Sequence, residues 1–206
     1  MFKLYTMRLV IFSWLIFISA LMMSSCGSGS GSSNTAGGID LSTYQTDDIA
    51  GNGVRAKKIS SDGTLVEEGY VSNGVKNGVW INYNPDGRIN TMTTYVDGQQ
   101  SGPHLEFSQR SQIILKAYYN GGVLDGPYAT FKNGRYLIES FYKNGKLEGE
   151  YKEYFPGGRE SGKLQKLMEF KNGKQDGKLE YYDPEGNVTL SYQYKNGEKI
   201  EGSLPE

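Results

Sequence analysis

The chain has 206 residues, with 22 Lys and Arg against 23 Asp and Glu, 28 Gly and 16 Tyr. That length holds one domain of ordinary size. Charges this balanced remove the electrostatic case for a nucleic-acid binder. A single Cys (Cys26) and a single His (His104) exclude an internal disulfide framework, a Cys-based zinc site and a multi-histidine metal centre.

The first segment reads as an address. Lys3 and Arg8 precede LVIFSWLIFISALMM, residues 9–23, fifteen residues without a charge. A membrane span needs about 20 apolar residues, so this run has the length of the apolar part of a secretory signal. Ser24, Ser25 and Cys26 follow. The stretch MSSC, residues 23–26, resembles the bacterial lipobox, with Met23 where Leu is usual. The resemblance implies a lipoprotein signal peptide over 1–25, diacylglycerol on the Cys26 sulfur, cleavage after Ser25 and acylation of the new amine. Two or more acyl chains hold a protein stably at a bilayer. The expected location is the bacterial cell envelope, lipid-anchored at the periplasmic face of the outer membrane or the outer face of the inner one. A plain secretory signal and an uncleaved anchor helix stay open as alternatives. Residues 27–38, GSGSGSSNTAGG, carry no apolar side chain larger than Ala. Such a segment buries no core, so 26–38 is expected to be a disordered tether with a reach on the order of 20 Å. Residues 39–52 are expected to cap the first edge of the folded part, through Ile39, Leu41, Tyr44 and Ile49.

From 53 to 206 the chain is one repeated unit. Gly74, Gly98, Gly122, Gly145, Gly173 and Gly197 recur at spacings of 24, 24, 23, 28 and 24. A second glycine stands four positions on in five copies: Gly78, Gly102, Gly126, Gly149 and Gly177; in the sixth copy Gly202 comes one place late. Both sets read as turn glycines. Two positions after the second glycine come Trp80, His104, Tyr128, Tyr151 and Leu179, and five after it Tyr83, Phe107, Phe131, Tyr154 and Tyr182. A further turn falls at Gly87, Gly134, Gly158 and Gly186, with Ser111 in its place in copy two, and Gly63 belongs to a degenerate first copy beginning near Gly53.

Asn-Gly, Asp-Gly and Pro-Asp-Gly pairs are hairpin chemistry, because tight reversals need positive φ. Between them side chains alternate with period two: Thr91, Thr93, Tyr95; Leu115, Ala117, Tyr119; Ile138, Ser140, Tyr142 on one side, a more polar set on the other. That predicts strands with one buried face, and no stretch beyond residue 50 carries a helical period of useful length. One hairpin cannot bury its apolar face alone, but stacked hairpins can. The predicted fold is all-β: an elongated single-sheet meander of about six β-hairpin repeats, preceded by a helical signal segment and the tether. The interval of 28 needs four extra residues, which ESGK at 160–163 supplies as a longer hairpin loop.

The unit YKNGKLEGEYKEYFPGG, residues 142–158, and its neighbours resemble the membrane occupation and recognition nexus repeat, MORN, in the bacterial variant of the YwqK-like antitoxin family. The resemblance covers about 53–200. His104 and Leu179 at aromatic positions, Ser111 at a turn glycine and the insert depart from the pattern. YYDPEGNV at 181–188 also resembles, more weakly, the tyrosine-aspartate repeat of bacterial shell proteins, which lacks the paired glycines.

Catalytic patterns are weak. GGRESGK, residues 157–163, has phosphate-loop spacing, yet Leu164 replaces the magnesium-binding hydroxyl and the segment sits in a hairpin turn rather than before a helix. His104 holds a place filled elsewhere by Trp or Tyr and reads as a packing residue. Asp125, Glu148, Asp176 and Glu201 fall beside the second glycines, and Lys76, Lys146, Lys174 and Lys199 lie near the first; both sets read as solvated turns before they read as ligand sites. The expected function is that of a non-catalytic, membrane-anchored interaction scaffold, a monomer with no cofactor, no metal and no nucleic acid, whose exposed aromatics, such as Tyr118 and Phe141, meet a protein partner. The resemblance implies an antitoxin or immunity role as one alternative, and direct binding of lipid or cell-wall glycan by the repeats is another.

Overall fold

A computed structural model describes residues 38–203 except 50 and 52. The expected signal peptide, Cys26 and all of the expected tether but Gly38 lie outside the described residues. A 3₁₀ turn at Leu41–Thr43 leads into sixteen strands: β1 (Gln45–Ile49), β2 (Gly53–Ile59), β3 (Leu65–Ser72), β4 (Val75–Tyr83), β5 (Ile89–Val96), β6 (Gln99–Phe107), β7 (Ile113–Asn120), β8 (Val123–Leu124), β9 (Gly126–Lys132), β10 (Arg135–Lys143), β11 (Lys146–Leu147), β12 (Gly149–Tyr154), β13 (Leu164–Lys171), β14 (Lys174–Tyr182), β15 (Val188–Lys195) and β16 (Glu198–Ser203). They form one sheet, each long strand antiparallel to the next in sequence; the two-residue β8 and β11 pair with β7 and β10 ahead of β9 and β12. The expected all-β hairpin meander is what the chain adopts.

The two glycines of each unit do different work. The first ends a two-residue turn in which both central residues have positive φ: Asn73 (51°) and Gly74 (76°), Asn144 (49°) and Gly145 (75°), Asn172 (52°) and Gly173 (78°). This mirror-image turn matches the right-handed twist of the flanking strands. Each such turn also registers on the one before it. The N–H of Gly98, Gly122, Gly145, Gly173 and Gly197 donates to the carbonyl two residues past the preceding turn glycine, at 2.8–2.9 Å: Lys76, Gln100, Leu124, Leu147 and Gln175.

The second glycine is not at a turn, and here the sequence reading is corrected. Gly78, Gly102 and Gly177 lie inside strands, and Gly126 and Gly149 open them. All five have positive φ and mark a bulge. Pairing of β5 with β6 runs Thr93↔His104 and then Tyr95↔Gln100, so three residues around Gly102 face one, Thr94. The same two-residue excess recurs where β3 meets β4 and β13 meets β14. In the last copy, where the glycine comes late, the shift between β15 and β16 is a single residue.

At the other edge, loops of five residues close with paired hydrogen bonds, such as Asn84 N to Arg88 O (2.8 Å) and Gly87 N to Asn84 O (2.9 Å). Ser111 takes the left-handed conformation of the glycine it replaces (φ 58°). Two loops differ, and they explain the irregular spacings. Asn133–Gly134 is a two-residue turn with positive φ at both positions, which shortens its unit. Residues 155–163 make the long loop, closed by Phe155 N to Lys163 O at 2.9 Å. Arg135 reaches the Ser161 carbonyl, and Lys163 the Pro184 carbonyl, so the insert is tied to the loops on both sides of it.

A single layer buries little. Among the described residues the buried apolar side chains are Ala56, Val71, Trp80, Ala117 and Leu179, with Thr93 and Ser140 buried beside them. Large side chains stand across from small ones: Trp80↔Thr93, His104↔Ala117 and Tyr128↔Ser140. In the fifth copy the sizes reverse, with Leu179 opposite Tyr192. Ile39, Leu41 and Tyr44 pack on the cluster of Ala56, Val71 and Trp80, while β1 pairs with β2 and is exposed throughout, Ile49 included.

Candidate functional site

Two aromatic series share one face of the sheet. One lies three residues before the tight-turn glycine: Tyr95, Tyr119, Tyr142, Phe170 and Tyr194. The other lies six after it: Trp80, His104, Tyr128, Tyr151 and Leu179. Rings of the two series meet edge to face, His104 on Tyr119 at 6.0 Å, Tyr128 on Tyr142 at 5.6 Å and Tyr151 on Phe170 at 6.0 Å, the geometry that the ring quadrupole favours. Burial is the first cause that pushes the phenols of Tyr95, Tyr128 and Tyr151 above their ordinary range. Beside them the Ser140 hydroxyl is buried with no hydrogen-bond partner.

In the first repeat a segment of the chain covers this face. Tyr44 meets Trp80 edge-on at 6.1 Å and donates its hydroxyl to Glu67 at 3.0 Å. Trp80 is fully buried, and its indole N–H donates to the Tyr70 carbonyl at 3.0 Å. Lys76 lies across the Trp80 ring, 4.0 Å from its centroid, and pairs with Glu67. Lys199 lies 3.6 Å over Tyr192 in the last repeat. Those two lysines thus lie over rings, and Lys146, Lys174 and Lys199 are all exposed. Among the described residues no segment lies over the rings from Tyr119 to Phe170, which are half-buried by their neighbours alone.

The aromatics nine positions past the turn glycine occupy the opposite face, which the sequence reading had left polar. Tyr83 donates to Glu68 at 2.7 Å, and Glu68 also holds Arg55 at 2.6 Å. These two donors, Tyr83 foremost, keep the Glu68 carboxyl below its usual range, while burial and then Glu68 push the Tyr83 phenol up to about 12. Tyr154 makes the same bond to Glu139. Where Phe107 and Phe131 replace Tyr, the places of Glu68 and Glu139 are filled by Met92 and Lys116. In these four copies the hydroxyl and the carboxylate come and go together. Tyr182 finds Leu167 there and turns to Glu180 on its own strand at 2.7 Å.

This face also carries an open groove of about 700 Å³, bordered by Phe141, Glu139, Glu148, Glu150 and Glu169. A Cβ built on Gly102 or Gly126 would meet Thr94 or Tyr118, but one built on Gly149 would meet nothing within 4 Å, and Gly149 lines the groove. Phe141 is 43% exposed. Tyr118, expected to be exposed like Phe141, is half-buried, with Lys116 over its ring at 5.6 Å. Two of the turn acids, Glu148 and Asp176, are engaged. Glu148 accepts the Asn172 N–H at 2.7 Å, and Asp176 accepts Lys195 at 3.0 Å and the Asn196 N–H at 3.3 Å, contacts that hold Asp176 below the usual carboxylate range. They clasp one repeat's acid to the next repeat's turn. His104 is held by Thr93 at 2.8 Å and lies 3.4 Å from Glu106. Among the described residues no group of three His, Cys, Asp or Glu is placed to hold a metal ion. The 157–163 segment lies in the loop between β12 and β13, with no helix behind it.

A family model described as a MORN repeat variant matches residues 175–196, the hairpin of β14 and β15. Its turn, bulge and ring positions recur in the preceding copies. MORN repeats are a non-catalytic repeat type that serves protein and membrane interaction. No curated protein matches the chain.

Proposed function

We propose that this protein is a non-catalytic interaction scaffold of a bacterial envelope, held at a membrane by acyl chains on Cys26 and docking a protein partner along its sheet. The observation that carries this reading is the pair of aromatic rows on one face, covered over the first repeat and, among the described residues, bare from Tyr119 onward. Half-exposed rings in register are contact area without convergent polar groups, which suits binding rather than turnover. The lipobox-like MSSC supports the anchor, and the Gly/Ser run after it supports a spacer between lipid and sheet.

The test has two parts. Cys26→Ala moves the full chain from the membrane fraction to the soluble one; retention in the membrane fraction removes the lipoprotein claim. Cross-linking in intact cells followed by purification recovers a stoichiometric envelope protein. Recovery of the chain alone under conditions that preserve its membrane location removes the scaffold claim. A toxin as the recovered partner makes the scaffold an antitoxin of the kind its sequence resembles.

A further inference from the structure

We propose that the two loops that break the repeat, the short turn at Asn133–Gly134 and the long loop at 155–163, together form a binding site for a phosphate group. The site stands apart from the scaffold reading. The other loops of this edge have five residues. Here a two-residue turn lies beside a long loop, and a cavity of about 490 Å³ separates them. Lys132, Asn133 and Arg135 line it from the turn, and Gly157, Gly158 and Ser161 from the loop.

Arg135 is seated before any ligand arrives. Its stem lies against Gly162, where an added Cβ would come within 3.3 Å of the arginine Cδ, and its Nη1 donates to the Ser161 carbonyl at 3.1 Å. A guanidinium carries five N–H donors, and the others have no partner among the described residues. Lys132 stands directly across the strand pair from Arg135, and like charges so placed repel. Among the described residues neither makes an ion pair. A dianion set between them turns that repulsion into charge-assisted hydrogen bonds. The planar fork of arginine suits phosphate oxygens, and Asn133 and Ser161 add neutral donors. The cavity lining holds no carboxylate. One acid stands close: Glu160, whose Oε2 is 3.0 Å from where a Cβ on Gly158 would lie.

This is not the phosphate loop whose spacing 157–163 shares. Lys163, which that motif would turn on the phosphate, donates to the Pro184 carbonyl at 2.7 Å. The cations come from the neighbouring turn instead. Opposed cations alone do not make the site either. Lys143 faces Lys146 and Lys171 faces Lys174 across tight turns, but those turns lie at the other edge of the sheet, away from the long loop.

The first probe is inorganic phosphate, titrated calorimetrically into the full chain in neutral detergent at constant ionic strength. It is expected to bind with a dissociation constant on the order of 1 mM, while acetate gives no measurable binding. Lys132→Ser, which removes a side chain without a hydrogen bond among the described residues, is expected to weaken phosphate about tenfold or more. Arg135→Gln weakens it likewise but also frees the loop, so the lysine variant decides. Glu160→Gln is expected to tighten binding several-fold. The control variant carrying Lys146→Ser and Lys174→Ser binds as the unsubstituted chain does. Absence of phosphate binding overturns the proposal, as does equal binding of acetate or indifference to Lys132→Ser. Equal weakening in the control variant also overturns it, since the attraction is then diffuse charge. Two soluble monoesters separate the sources of the group. Tighter binding of dibutyryl phosphatidate than of glucose phosphate assigns a lipid headgroup and the reverse a sugar phosphate, and either result upholds the site.

Discussion

Gly69→Ala isolates the physics of a one-layer sheet. Gly69 lies under the buried indole, and a Cβ there would fall within the van der Waals radii of Cγ, Cδ2 and Cε2 of Trp80. Two effects oppose each other. Alanine in a strand is favoured over glycine by roughly 0.5–1 kcal/mol through the lost freedom of the unfolded chain. Overpacking a filled site costs about 1–3 kcal/mol, and a displaced indole forfeits its hydrogen bond to the Tyr70 carbonyl, about 1 kcal/mol more. Packing wins, with a net loss near 2 kcal/mol, or roughly 4–8 °C in melting temperature for a domain of this size. Thermal denaturation followed by far-UV circular dichroism measures it. The double variant Gly69→Ala with Trp80→Tyr copies the third repeat, where Ala117 and Tyr128 hold these places, and is expected to regain most of the loss that Gly69→Ala inflicts relative to its own Trp80→Tyr parent. A higher melting temperature for Gly69→Ala alone would mean that chain entropy outweighs ring packing, and the large-over-small account of the sheet would fail.

Two further perturbations probe the turns and the tyrosine–carboxylate pairs. Gly173→Ala forces a Cβ into a backbone with φ of 78° and is expected to cost about 1–2 kcal/mol, whereas Gly157→Ala, with open space around it and no positive φ, is expected to be neutral or slightly stabilising; equal urea midpoints for the two would refute the turn assignment. Glu68 is held below its unfolded value, so its contribution is present above that value and drains away as the pH falls through the folded one, while Tyr83, Tyr44 and Tyr182, raised to about 12 from 10, contribute below pH 10 and lose that contribution as the pH climbs toward 12. Tyr83→Phe is expected to cost about 1 kcal/mol at neutral pH and to flatten the acid limb of the stability profile, and phenolate absorbance is expected to show a late-ionising group of tyrosines; unaltered acid sensitivity in Tyr83→Phe, or all phenols ionising near pH 10, would count against these pairs.

The sequence made the meander legible because glycine spacing reports backbone geometry directly. Asn-Gly and Asp-Gly set the tight turns, and ESGK accounts for the long interval between Gly145 and Gly173. The role of Gly78 and its counterparts was misjudged because positive φ serves a bulge as well as a turn, and only pairing register tells them apart. The second aromatic face was overlooked although the signal was present. Trp80 and Tyr83 are three apart, an odd step along a strand, so they point to opposite sides. The unit of 23 was unexplained because Asn133–Gly134 had been equated with the longer loops. That Ile39, Leu41 and Tyr44 pack on the first repeat was readable from their apolar character. That the segment crosses onto Trp80 was not, since a tertiary contact made once leaves no periodic trace. The groove beside Phe141 is bordered by residues of β10, β12 and β13, and a site assembled across three strands leaves no mark in the spacing of any one of them.

The hydrogen bond from each tight-turn glycine to the carbonyl two residues past the previous one has a consequence for how such a chain changes over generations. Every internal unit offers the same donor to its predecessor and the same acceptor to its successor. Excising a stretch between two equivalent glycines, or duplicating one, therefore leaves matched chemistry on both sides of the splice. Copy number becomes a parameter that recombination can alter without a new fold having to be found, and the reach of the sheet changes with it in steps of one hairpin.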